Sequence, residues 1–400
     1  MKQAIKIKDN MYWVGVHDFN LRQFHGEFFP IDEGTTYNAY LIIDEEITLI
    51  DTVEEEFVDI MLERIRSVIG DRAVDNVIVQ HAEPDHSSGF IRFMEQYPNA
   101  KAYVSNAGVN IMIKQYFKDY NYRKVKTLDT ITTGKYTLTF IEMPLIHWPD
   151  NMMTYVKEES ILFSNDAFGQ HIPSYDIFDD AHGVSKCIDR AKDYYANIVM
   201  PYGDRVAKKL QDIVALNLTI DMIAPSHGII WRSYIPEILA AYMDFATFKS
   251  KDKVVIIYES IWKHTQEMAE ALAEGIGRNG VCVKIFKYSQ TSNAIVMKEL
   301  IDAKAILVGS GCYNNIMASN IAGFLEKLIS FNVKGKKGLG FGSYGWYRNV
   351  TASINKKLEE AGVTLINDEV LAQNYTPTEQ DLDKLMQLGK EIAEQLKAEN

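Results

Sequence analysis

Apolar and polar positions follow two different rhythms along this chain. Over roughly the first 248 residues, short apolar runs alternate irregularly with amphipathic stretches. The segment "TYNAYLIIDEEITLIDTV" (36–53) predicts two strands joined at Asp44 to Glu46. Residues 54–69 place Phe57, Ile60, Met61, Ile65 and Val68 on one face, the period of a helix packed on a core. Residues 75–80 predict a buried strand, followed by a helix from about Ser87. Further strands are predicted at 101–105, 136–146, 153–156 and 160–165, and helices at about 182–198, 204–217 and 235–248.

A charged break, "FKSKDK" (248–253), ends this part, and the rhythm then becomes regular. Strands at 253–260, 282–289, 303–310, 337–343 and 363–370 alternate with helices at 265–278, 293–302, near 320–330, 350–361 and 378–398. Such strand–helix alternation predicts a doubly wound parallel sheet. The expected domains are therefore 1–249 and 250–400. A length of 400 residues also exceeds what one ordinary core serves.

Composition narrows the function classes. No apolar run approaches a membrane span, and the first residues lack the long apolar segment of a signal peptide, so a cytoplasmic protein is expected. A net charge of −12 argues against nucleic acid as a partner. Cys187, Cys282 and Cys312 lie far apart with no CxxC pair, which excludes a rubredoxin-type iron site within the chain and fits a reducing compartment.

The candidate chemistry begins at "VIVQHAEPDHSSGF" (77–90), where a strand runs into His81, Glu83, Asp85 and His86. His147, Asp166 and His227 each follow a predicted strand in the same way. Strand carboxyl ends gather on one edge of layered α/β folds, so these distant residues can converge. One such residue alone is usually a turn former or cap. Several carboxylates this close repel one another unless a cation lies between them. The HxExDH pattern is similar to the HxHxDH signature of the metallo-β-lactamase fold, with Glu83 in place of the second histidine. Imidazole suits zinc, copper and iron, and the added carboxylate favours a harder, redox-capable ion. Two irons bridged by Asp166 are expected, with two zincs as the alternative.

A second set of loops lies in the regular half. In "YESIWKHTQEMA" (258–269), Ser260, His264 and Thr265 offer donors at a strand-to-helix turn, which suits an anion. The loops "GSGCYNN" (309–315), with Ser310, Tyr313, Asn314 and Asn315, and "FGSYGW" (341–346), with Ser343, Tyr344, Gly345 and Trp346, follow two other strands. These are the positions at which a flavodoxin grips FMN, with Trp262 and Trp346 available for stacking. No GxGxxG follows a strand, which disfavours a nicotinamide or FAD site.

Together these features resemble the flavodiiron (A-type flavoprotein) family, along essentially the whole chain. The resemblance rests on "GTTYNAYLI" (34–42), "HAEPDHSSG" (81–89), "HWPDNM" (147–152), "NDAFGQHI" (165–172), "YYANI" (194–198), "APSHGIIWR" (224–232) and "FGSYGW" (341–346). It implies a metallo-β-lactamase-like αββα domain followed by a flavodoxin-like domain. It implies that His81, Glu83 and His147 hold one iron, that Asp85, His86 and His227 hold the other, and that Asp166 bridges them. His25, in "FHGEFF", matches a family histidine beside the di-iron pocket that is not a ligand. The implied FMN contacts are Ser260, Trp262, Thr265, Asn314, Asn315, Ser343, Tyr344, Gly345 and Trp346. The chain departs from the family pattern at His264, at Gly311–Cys312 and at Tyr347–Arg348–Asn349. The implied activity is reduction of O2 to water, of NO to N2O, or both. The implied assembly is a head-to-tail homodimer or a dimer of dimers, fed in trans by rubredoxin or by reduced deazaflavin F420. The rival classes are a dizinc hydrolase with a flavodoxin appendage and an electron-transfer protein with a vestigial metal domain.

Overall fold

Short strands dominate the first part of the chain, and several of them, such as Tyr40–Ile42, Asn76–Val79 and Ile161–Asn165, are buried along their whole length. The computed structural model describes residues 3–26, 29–331, 333–367 and 370–398. The chain divides into two units, Met1–Ala246 and Thr247–Asn400.

The first unit carries two large sheets, beside two short two-stranded ones. One contains β1 (Ile5–Lys8), β2 (Met11–Trp13), β3 (Tyr40–Ile42), β4 (Thr48–Ile50), β5 (Asn76–Val79), β6 (Lys101–Ser105) and β7 (Arg123–Val125), side by side in that order. The other contains β8 (Thr130–Thr132), β9 (Thr137–Glu142), β10 (Met152–Val156), β11 (Ile161–Asn165) and β12 (Met222–Pro225), again in chain order. Successive residues of a strand point to opposite faces, and β5 uses both. Val77 and Val79 pack with Val58, Met61 and Ile65 of α1 (Val58–Ile69) and with Phe90 and Phe93 of α3 (Phe90–Gln96). Ile78 packs the other way, with Phe140, Phe163 and Ala224 of the second sheet. The result is helices, sheet, sheet; the helices α5 (Val184–Tyr194) and α6 (Gly203–Ala215) join β11 to β12 in the chain, and α7 (Ile235–Ala246) follows β12.

The second unit is one parallel sheet. Its strands are β13 (Lys251–Glu259), β14 (Cys282–Lys287), β15 (Ala303–Ser310), β16 (Lys337–Tyr344), β17 (Thr364–Leu365) and β18 (Leu371–Asn374). The order is β14–β13–β15–β16–β17, with β18 also on β16, and every pairing is parallel. Val254, Ile256, Leu307 and Phe341 bury one face against α8 (His264–Arg278) and α12 (Glu379–Ala398). Those two helices approach most closely at Gly275 and Gly389, where a Cβ would strike the opposite backbone. Both the doubly wound sheet and the two-sheet sandwich are as expected from the sequence.

Several element boundaries differ from the expected ones. Residues 136–146 form a strand only over Thr137–Glu142, and the chain then turns through "MPLIHWPD" with Met143 N–H bonded to Asn151 O. The helix expected from Ser87 is two pieces, α2 (Pro84–Ser87) and α3, parted where Gly89 packs on the backbone of Val53. The helix at 182–198 is α-helical only to Tyr194 and widens into a π-helical turn over Tyr195–Val199. Residues 363–370 are not one strand. Leu365 sits beside Gly338 and Leu371 beside Phe341, a register that one continuous strand cannot adopt. Asp368 and Glu369, within that expected strand, lie outside the described residues. A helix unmarked in the sequence reading, α4 (Asn106–Tyr116), starts at Ser105, whose hydroxyl accepts the Gly108 N–H. No helix among the described residues is long and apolar enough to cross a membrane.

Candidate metal and flavin sites

In the first unit, one cluster of side chains is delivered by loops at strand ends. His81 comes two residues after β5. Pro84, with its fixed φ, opens α2, so Asp85 and His86 lie in that first turn and Glu83 just before it. His147 lies in the β9–β10 loop, Asp166 follows β11 directly, and His227 follows the parallel neighbour β12.

The side chains gather into two groups, His81, Glu83, His147 and Asp166, and Asp85, His86 and His227, with ligand atoms inside each group within 4.8 Å of one another. Asp166 faces both. Its Oδ2 lies 3.1 Å from His147 Nε2 and 3.7 Å from His81 Nε2. Its Oδ1 lies 3.0 Å from His86 Nε2 and 3.7 Å from His227 Nε2.

The donors fit metal ions. Both carboxylate oxygens of Asp85, both ring nitrogens of His86 and Nε2 of His227 are buried without a hydrogen-bond partner among the described residues. Yet His227 Nε2 lies 3.2 Å and His86 Nε2 3.4 Å from Asp85 Oδ2. Buried polar atoms are normally paired. Atoms that crowd one another without forming aligned hydrogen bonds are arranged to share a cation. The field agrees. Burial opposes charge on His86, but Asp85 and Asp166 raise it to about 9. Burial likewise opposes charge on His81, and Asp150 and Glu83 outweigh it to hold the imidazole well above its usual range. Burial works against the Glu83 carboxylate, and His147 and His25 overcome it; for Asp166 the overcoming groups are His86 and His147. Protons and metal ions compete for these same lone pairs.

A second layer braces the first. Asp51 accepts the Gln80 N–H at 2.8 Å and the Gln80 amide at 3.0 Å, fixing the end of β5, and burial pushes its carboxyl up to about 6. Ser226 Oγ donates to Asp166 Oδ1. Asp150 lies against His81 Nδ1. Neither Asp51 nor Asp150 was singled out from sequence; a buried acid beside a ligand strand carries no local signal, although Asp150 sits inside the "HWPDNM" motif.

His25 stands at the mouth of the cluster, with Nε2 3.1 Å from Glu83 Oε1. The mouth is a cavity of about 390 Å³ whose lining includes His25, Tyr37, Glu54, Glu56, Glu83 and Asp85. Glu27 and Phe28 of "FHGEFF" lie outside the described residues. His171 closes the buried side, its Nδ1 2.8 Å from Thr35 Oγ1, and burial keeps its ring far below the usual histidine range.

In the second unit, the loops after β13, β15 and β16 enclose a cavity of about 490 Å³. Ser260, Trp262, His264, Thr265, Tyr313, Asn314, Ser343, Tyr344, Gly345 and Trp346, all candidates from the sequence, line it. Ser310 and Asn315 are not among the lining residues. The Ser310 hydroxyl is buried, donating to Gly311 O and accepting the Ala318 N–H. Ile261, Gly311, Cys312 and Tyr375 complete the lining. Tyr375 comes from the turn after β18 and went unmarked because the expected last strand was misplaced. Thr265 Oγ1 and Ser343 Oγ, 3.0 Å apart, tie the first loop to the third. Hydroxyls at the start of α8 suit a phosphate. Trp262 and Trp346, 79% and 81% exposed, offer flat faces to a ring system. The donor set fits a flavin mononucleotide.

Comparison with known proteins finds relatives for both units. The ODP family beta lactamase profile matches residues 35–228, and the flavodoxin profile matches residues 256–389. The chain is 41% identical over 394 residues to a nitric oxide reductase of Moorella thermoacetica, covering 98% of this chain and 99% of that protein. It is similar in structure to a rubredoxin oxygen:oxidoreductase from the anaerobe Desulfovibrio gigas, with a TM-score of 0.96, 35% identity and 99% of each chain covered. It is also similar to the flavodiiron protein of Giardia intestinalis, with a TM-score of 0.95, 29% identity and coverage of 99% and 97%. Matched in both halves over nearly its full length, the chain belongs to the flavodiiron protein family, oxidoreductases that carry FMN and a di-iron centre.

Proposed function

We propose that this protein reduces O2 to water and, at the same site, NO to N2O. The observation that carries the reading is Asp166, a buried carboxylate with one oxygen toward each of two donor groups, in a chain that also carries a flavin cavity. When bound, two irons and one FMN supply up to four electrons, the number O2 needs and twice what a pair of NO molecules needs.

His81, Glu83 and His147 would hold one iron, Asp85, His86 and His227 the other, and Asp166 both. Gln80, held by Asp51, keeps the first loop in place. His25 Nε2, beside Glu83 at the mouth, would hold a proton within reach of an entering molecule. Ser260 and Thr265 would hold the flavin phosphate, and Trp262 and Trp346 would flank its rings. Glu83 in place of a histidine speaks against a dizinc hydrolase.

The relatives named for nitric oxide and for oxygen support both substrates. The D. gigas protein is named for rubredoxin, which supports a donor in trans, rubredoxin or reduced deazaflavin F420. Three free cysteines support a cytoplasmic location. We further propose that residues 1–249 and 250–400 fold as separate domains, and that a head-to-tail homodimer or dimer of dimers brings the FMN of one chain to the irons of the next.

The deciding experiment is anaerobic reduction followed by rapid mixing with O2 and, separately, with NO. Both gases should reoxidise the protein, O2 without release of hydrogen peroxide. Failure of both, or stoichiometric peroxide, would refute the reading. For the dimer, a His147→Ala protein mixed with a Ser260→Ala/Thr265→Ala protein should recover up to about half the activity per dimer after subunit exchange. No recovery despite exchange would mean that electrons travel within one chain.

A further inference from the structure

The imidazoles of the metal cluster differ in what their second nitrogen meets. His81 Nδ1 lies 3.3 Å from each carboxylate oxygen of Asp150. His227 Nδ1 lies 2.7 Å from the carbonyl oxygen of Thr36. His86 Nδ1 is buried with no hydrogen-bond partner among the described residues. Asp150 is itself fixed. Its Oδ2 accepts the Ala82 N–H at 2.7 Å, and its backbone carbonyl accepts the Ser105 hydroxyl at 2.9 Å. It is 2% exposed, and among the described residues His81 is the only basic side chain within ion-pair reach of it.

A buried carboxylate is unfavourable without a partner. Here the partner is the ring edge opposite the one that faces the metal group. A carboxylate in that place keeps the proton on Nδ1, leaves the lone pair on Nε2 and raises the basicity of that nitrogen. A carbonyl does so less, and no partner does not do so at all. The two donor groups are therefore supported unequally: the Asp150 carboxylate lies directly against His81 Nδ1, whereas the buried Asp51 carboxylate acts on the His86 ring only through space, without a hydrogen bond to it.

We propose that Asp150 is a positioning residue that makes the two iron positions unequal. By strengthening His81 as a ligand, it makes the position built from His81, Glu83 and His147 hold its iron more tightly than the position built from Asp85, His86 and His227. The inference rests on the di-iron reading, but its test needs neither O2 nor NO.

The experiment follows iron release from the reduced holoprotein to ferrozine. The native protein should lose its iron in two phases of unequal rate. His86→Ala should abolish the faster-released phase and leave the slow one, which assigns them. Asp150→Asn keeps an acceptor for the Ala82 N–H but removes the charge beside His81. It should speed the slow phase about 10- to 100-fold and leave the fast phase unchanged. In 57Fe Mössbauer spectra the same variant should move one iron signal and not the other. A single phase in the native protein, an unchanged slow phase in Asp150→Asn, or equal acceleration of both phases would each overturn the proposal, the last by indicating a merely structural role. A protein that releases iron as proposed yet reacts with neither gas would refute the proposed function and keep this inference.

Discussion

The two sites are built in opposite ways. At the metal cluster His81 and His227 are 0% exposed, and their neighbours crowd them so closely that several polar atoms have no aligned partner. At the flavin cavity the largest side chains, Trp262 and Trp346, stand mostly in solvent. The first site is a fixed cage of charges from four separate segments of the chain. The second is a set of loop tips on successive strands of one sheet. Rigid placement matters where several ligands must meet one ion, and loops on a scaffold suffice where a flat ligand is sandwiched.

The largest effect should come from striking the cage at its shared member. Asp166→Ala should cut iron below one per chain and lower turnover by more than about a hundredfold, since the loss of even an outer partner costs 10–100-fold. Flavin content should not change; iron analysis and the flavin absorbance together check it. Simultaneous loss of flavin would break the separation between the two sites.

His25 tests the border, because it touches Glu83 yet opens to the cavity mouth. His25→Ala should keep both cofactors and slow turnover by up to about a hundredfold, the lower range for a lost proton-transfer group. Steady-state gas consumption at matched iron content reads it, and lost iron would move His25 into the cage.

The loops should respond more mildly. Trp262→Ala with Trp346→Ala should weaken FMN binding roughly tenfold or more, at about 0.5–1.5 kcal/mol per aromatic contact. Fluorescence titration of the flavin-free protein would measure it, and iron content should be untouched. The smallest effect expected is for Tyr375→Ala, about fivefold on FMN affinity by the same measure. A null result there would make Tyr375 a bystander at the rim.

Legibility in the sequence follows the same division. His81, Glu83, Asp85 and His86 could be read because a strand end and a proline put them in one short window. His147, Asp166 and His227 could be read because strand ends share an edge. Asp150 and Asp51 could not, since what marks them is burial beside Nδ1 of His81 and beside Gln80, which only the folded chain creates. In the second unit the alternation of strand and helix gave the sheet, and loop composition gave most of the cavity. Ser310 lies outside the cavity lining, since a hydroxyl at a strand end serves equally well to cap the next segment, here at Ala318 N–H. Tyr375 was hidden because apolar spacing at 363–370 suggests one strand where the register requires two.

The placement of the five tryptophans has an optical consequence. Trp13 and Trp231 are sealed in the interior, Trp148 meets the His81 ring edge-on at 5.1 Å, and Trp262 and Trp346 stand at the flavin rim. Indole emission therefore divides into a constant internal background, one lamp beside the metals and two beside the flavin. Adding iron alone to the protein free of both cofactors should dim the first lamp and leave the other two, so the emission of the unlabelled protein follows the filling of the metal cluster during reconstitution.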